Sequence, residues 1–87
     1  MKKGDIVYHA RILKNIMYEV YELKIRTVEE DYFVGTEKTT RQAFIFKTSA
    51  LNTTVFYDRK QALRVVREAE KKRTKRYIEV ESLEEKE

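Results

Sequence analysis

The sequence predicts an α+β fold that is mainly β: about five antiparallel strands, bent or closed into a small barrel, then one C-terminal helix. Three observations lead there. Short segments between Gly4 and Tyr57 alternate apolar and polar residues with period two. Val55-Phe56-Tyr57-Asp58-Arg59-Lys60-Gln61-Ala62-Leu63 runs from an aromatic strand end into a helix start. Beyond it, apolar residues fall on one side of a helical wheel and basic residues on the other.

Gly4 to Leu13 alternates as a first strand, with Ile6, Tyr8, Ala10 and Ile12 on one face and Val7, His9, Arg11 and Leu13 on the other. Lys14-Asn15 fits a two-residue turn, Asn tolerating positive φ. Met17 to Val28 reads as a long second strand. Its apolar parity shifts from Tyr18/Val20 to Tyr21/Leu23/Ile25, which predicts a bulge or sharp bend near Val20-Tyr21. Glu29-Glu30-Asp31 is a polar turn, Tyr32-Phe33-Val34 a short strand, and Gly35 to Gln42 a polar loop. Ala43 to Lys47 is the next strand, Thr48 to Asn52 turns back, and Thr53 to Tyr57 is the last strand. Asp58 caps the helix with Gln61 at the third helical position, and the helix is expected over about residues 59–74. For Tyr77-Ile78-Glu79-Val80, further helix, an edge strand and a tail are all open, and alternation slightly favours strand. The expected core is Ile6, Tyr8, Val20, Leu23, Ile25, Phe44, Phe46, Leu51, Val55, Phe56, Leu63 and Val66.

Eighty-seven residues make one domain, read as residues 1–76 with 77–87 as an acidic C-terminal tail. There are no cysteines, so disulfides and thiolate zinc sites are excluded. Gly4 and Gly35 stand alone, which excludes glycine-rich phosphate loops. No leader stands at Met1-Lys2-Lys3 and no apolar run approaches the length of a membrane span, so a cytoplasmic protein is expected. The chain has 19 basic and 15 acidic residues, net +4. Residues 79–87 hold five Glu against Lys86, leaving 18 basic and 10 acidic groups in residues 1–78. A body this basic suits an acidic or polyanionic partner, with the tail as an internal competitor or a solubility device.

No constellation for catalysis is visible, and no enzyme is expected. His9, the only histidine, has no adjacent nucleophile or orienting carboxylate and is read as lying on the outer face of the first strand. Glu29, Glu30 and Asp31 point in different directions and lack a calcium-loop frame, so no metal or cofactor is expected. Ser49 and Ser82 lack a nucleophile-elbow context. The sharpest signal is a basic stripe. At about 100° per residue, Lys60, Arg64, Arg67, Lys71 and Lys75 fall within roughly 80° of one another, opposite Ala62, Val66 and Ala69. Like charges at these spacings cost about 0.2–0.5 kcal/mol per pair, relieved in part by Glu68 and Glu70. These five residues are the candidate partner- or phosphate-binding set. Tyr18, Tyr21 and Tyr77 are the candidate aromatic contacts, while the four phenylalanines are assigned to the core.

Taken together, Lys3-Gly4-Asp5-Ile6-Val7-Tyr8, Phe44-Ile45-Phe46 and Val55-Phe56-Tyr57-Asp58-Arg59-Lys60-Gln61-Ala62 resemble small proteins of phages and prophages of Gram-positive bacteria. In that family a compact SH3-like β unit closes with this strand-to-helix junction and a C-terminal helix. The resemblance covers about residues 3 to 70, and the extension from Lys71 to Glu87 departs from it. It implies the fold and a phage setting and carries no catalytic residues. The leading expectation is therefore a non-enzymatic protein-binding module of a phage or mobile element, such as an inhibitor of a host defence component. The alternatives are a nucleic-acid-binding protein using the helix stripe and a sequestering binder of an anionic small ligand such as a signalling nucleotide. The oligomeric state and the partner's identity are left open.

Overall fold

The computed structural model describes residues 1–13 and 17–85, with side chains described as far as Arg73. Its elements are β1 (Ile6–Leu13), β2 (Met17–Val28), β3 (Tyr32–Glu37), β4 (Ala43–Lys47), a 3-10 turn (Thr48–Ala50), β5 (Val55–Phe56) and α1 (Arg59–Glu85). The strands form one antiparallel sheet in the order β4-β3-β2-β1-β5. β4 and β5 are its two edges. The architecture is the open-sheet form of the expected mainly β fold, and the barrel does not close.

The sheet is strongly curled. In a flat sheet β4 and β1, separated by two strands, would stand about 14 Å apart. Here the Phe46 ring on β4 lies 4.8 Å from the His9 ring on β1. The concave face encloses Val7, Leu23, Ile25, Phe33 and Val55, with Tyr21, Phe44, Phe46 and Ala50 packed against them. The opposite face carries α1. There Ala10, Phe56, Ala62 and Val66 form a second core flanked by Tyr8, Tyr18, Val20 and Val65.

This double-sided burial explains the parity change in β2. Tyr18 and Val20 serve the helix-side core, whereas Tyr21, Leu23 and Ile25 serve the concave one. The bulge expected at Val20-Tyr21 is absent, since β1 and β2 pair without a break from Ile6↔Lys24 to Leu13↔Met17. The irregularity lies instead between β2 and β3, where the register shifts between Ile25 and Thr27. The Lys14-Asn15 turn lies outside the described residues.

Other expectations need correction. β3 runs on through Gly35, Thr36 and Glu37, so the polar loop is confined to residues 38–42. Strand can continue through Gly35 because the β2 side chains occupy the space of a Cβ: one added there would meet Leu23 Cβ at 3.1 Å. β5 is only Val55–Phe56. α1 extends to Glu85, so the backbone at Tyr77-Ile78-Glu79-Val80 is helical rather than strand. Ile6 is exposed rather than core, while Val7 and Ala10 are buried. Most of the expected core is correct in type but shared between two faces. No helix among the described residues is long and apolar enough to cross a membrane.

Candidate functional site

Asp58 sets the start of α1 by accepting a hydrogen bond at Oδ1 from the Lys60 backbone N–H, 2.9 Å. Ala62 and Val66 are buried against the sheet and Val65 packs beside them, so this face of the helix is turned inward. On a helical wheel the basic stripe is then opposite. Lys60, Arg64, Arg67 and Lys71 are all exposed, and Lys75 lies outside the described side chains. From Lys60 to Lys71 the stripe rises about 16 Å at 1.5 Å per residue. Glu68, Lys72 and Arg73 are also exposed along this stretch. An ion pair of Lys38 with Glu22, 3.7 Å, lies on the sheet, and among the described residues none joins Lys60, Arg64, Arg67 or Lys71.

The three candidate tyrosines do not join this surface as a stacking platform. Tyr18 is half-buried on the helix side of β2, with the Arg73 guanidinium 6.0 Å from its ring centre. Tyr21 is half-buried on the other side. Its hydroxyl donates to Met17 Sδ at 3.6 Å, and Arg11 lies over its ring at 5.4 Å. Tyr77 lies outside the described side chains. Among the described residues the exposed tyrosines are Tyr32 and Tyr57.

His9 is on the inner face of the sheet, contrary to the outer-face expectation. Its ring lies 4.8 Å from that of Phe46 and 6.0 Å from that of Phe44. The alternation holds, but the face it selects is covered by β4, separated from β1 by two strands in the sheet, which no local pattern reveals. Burial first, and the Arg11 guanidinium second, lower its pKa from 6.5 to about 4. Its Nδ1 is buried without a hydrogen-bond partner. A ring held neutral among phenylalanines suits packing.

A second basic feature was missed by the sequence reading. A groove of about 770 Å³ opens where the start of β1, the middle of β2 and the β3–β4 loop meet. Ile6 contributes apolar surface, Lys3, Lys24, Arg26, Lys38 and Arg41 contribute positive charge, and Glu22 and Glu37 add two carboxylates. Those cations come from separate segments, so no spacing in the chain announces them. The β3–β4 loop beside the groove is internally braced. Glu37 Oε2 accepts from the backbone N–H groups of Thr39 and Thr40 and from Thr40 Oγ1. These bonds, led by the Thr40 N–H, hold the Glu37 carboxyl below its ordinary pKa, against an opposing contribution from desolvation. Arg41 in the same loop has φ 64°, a left-handed conformation that reverses the chain.

Among the described residues, no three His, Asp or Glu side chains converge as a metal site would require. No family model, curated protein or solved structure matches this chain at a significant level.

Proposed function

We propose that this chain is a non-enzymatic protein-binding module that presents the outer face of α1 to an acidic surface on its partner. The observation that carries this reading is the row Lys60, Arg64, Arg67 and Lys71, exposed, with no salt bridge among the described residues and opposite the buried Ala62–Val66 face. Crowding like charges along one helix costs stability, and a complementary partner surface recovers it. A protein partner is favoured over nucleic acid because Tyr18 and Tyr21 are packed into the fold rather than offered for base stacking. The resemblance to phage proteins supports a host defence component as the partner.

The test is a pull-down from host lysate with and without nuclease, using the native chain and the variant Arg64→Glu/Arg67→Glu/Lys71→Glu. A discrete protein retained after nuclease treatment and lost with the variant is the expected result. Retention of that protein by the variant, or recovery of nucleic acid alone, would sink the proposal. The groove supports a second reading, capture of a small anion by Lys24, Arg26 and Arg41. That reading predicts a rise in melting temperature on adding the right nucleotide.

A further inference from the structure

β4 is an unpaired sheet edge, and its outward groups can be identified. At its two ends the Glu37 N–H donates to the Gln42 carbonyl, 2.8 Å, and the Thr48 N–H donates to the Asp31 carbonyl, 3.0 Å. Residues 42 and 48 therefore turn their backbone groups inward. Alternation along an antiparallel ladder places those of Phe44 and Phe46 inward too, in register with Gly35 and Phe33. The N–H and C=O groups of Ala43, Ile45 and Lys47 are left facing outward, where no strand pairs with them. At the centre of this edge Ile45 is 74% exposed, the most exposed large apolar residue among the described ones.

We propose that this edge pairs with the same edge of a second copy of the chain, antiparallel about a two-fold axis at Ile45. The pairing would be Ile45 with Ile45, Ala43 with Lys47 and Phe44 with Phe46, continuing two five-stranded sheets as one. Ala43, Ile45 and Lys47 of both copies would exchange all their outward backbone hydrogen bonds. The two Ile45 side chains would cover one another, and the small Ala43 would leave room for the Lys47 stem. On the concave face Phe44 and Phe46, already stacked within one chain with ring centres 6.2 Å apart, would meet their counterparts as cross-strand aromatic pairs.

Charge selects a second copy, and selects the antiparallel sense. One end of the β4 edge lies beside the loop that carries Lys38 and Arg41. The other lies beside the turn Glu29-Glu30-Asp31, whose Asp31 and Glu30 carbonyls bond Thr48. Three carboxylates against Lys47 make that end acidic. An antiparallel two-fold sets the basic end of each copy against the acidic end of the other, whereas a parallel pairing would set like ends together. Lys47 is the one charge within the strand and stands at its end, so it does not block the centre.

The test is sedimentation velocity of the full chain over a concentration series, with Ile45→Lys and Ile45→Cys. The chain has no cysteine of its own, so an introduced thiol reports one contact. The native chain is expected to dimerise with rising concentration. Ile45→Lys should sediment as a monomer with an unchanged circular dichroism spectrum, because the side chain is exposed. Oxidised Ile45→Cys should give a covalent dimer reversed by reductant, the paired Cα atoms lying about 5.5 Å apart, within disulfide reach. An exposed control, Thr53→Cys, should remain monomeric. A native chain that stays monomeric at its highest soluble concentration would overturn the proposal, as would a dimer that persists in Ile45→Lys. If Ile45→Lys unfolds, Ile45→Cys decides: a dimer no more readily formed than by Thr53→Cys overturns it.

Discussion

Acidification from pH 7 to pH 5.5 should weaken the fold through His9 alone. The ring has a pKa of about 4 in the folded chain and 6.5 in the unfolded one. The unfolded state therefore binds the proton more tightly. Stability is complete above pH 6.5, falls as the pH drops from 6.5 towards 4, and is flat below that as far as this group is concerned. The full shift corresponds to roughly 3 kcal/mol at 1.36 kcal/mol per unit. Over the narrower interval from pH 7 to pH 5.5 the linkage relation gives a loss of about 1 kcal/mol, a figure that survives halving of the shift by solvent at the half-exposed ring. Glu37 shifts the same way in pKa and the same way in stability, but over a lower pH range. Its carboxyl is lowered, so its contribution is lost as the pH falls through the carboxylate range, below the interval chosen here. Urea unfolding at the two pH values measures the loss, and His9→Leu, which cannot titrate, should remove the difference whatever its own stability. Because His9 is the only histidine, its proton resonance can be followed directly. A midpoint near 6.5 in the folded protein would show that Phe44 and Phe46 do not cover the ring, and would refute the reasoning.

Two further substitutions probe the frame that carries the surface. Gly35→Ala should destabilise by about 0.5–2 kcal/mol, because a Cβ there stands 3.1 Å from Leu23 Cβ and the overpacking exceeds the gain from stiffening the unfolded chain. A higher urea midpoint for this variant would mean that β2 can yield. Asp58→Ala removes the cap on Lys60 N–H and should cost about 1 kcal/mol, read as a lower urea midpoint. Stability equal to the native chain would show that water caps α1 as well.

Local order was legible in the chain because its causes are local. Strand alternation, the Asp58 cap and the helical period reside within a few residues of each other, so β1, β2, β4 and the start of α1 follow from spacing alone. The basic stripe followed for the same reason: once Ala62 and Val66 face inward, the helical repeat turns Lys60, Arg64, Arg67 and Lys71 to solvent. Which face of a strand is covered is a different matter. His9 and Ile6 alternate as expected, yet one is tucked under Phe44 and Phe46 and the other is exposed. Curling of the sheet decides that, by bringing β4 over β1. The same curl and the crossing of α1 bury β2 on both sides, so its apolar residues change parity without a bulge. The groove cations and the free β4 edge likewise depend on strand order, which sets residues far apart in sequence side by side. Periodicity determines what each segment can become, and the pairing of distant strands determines which of its faces meets water.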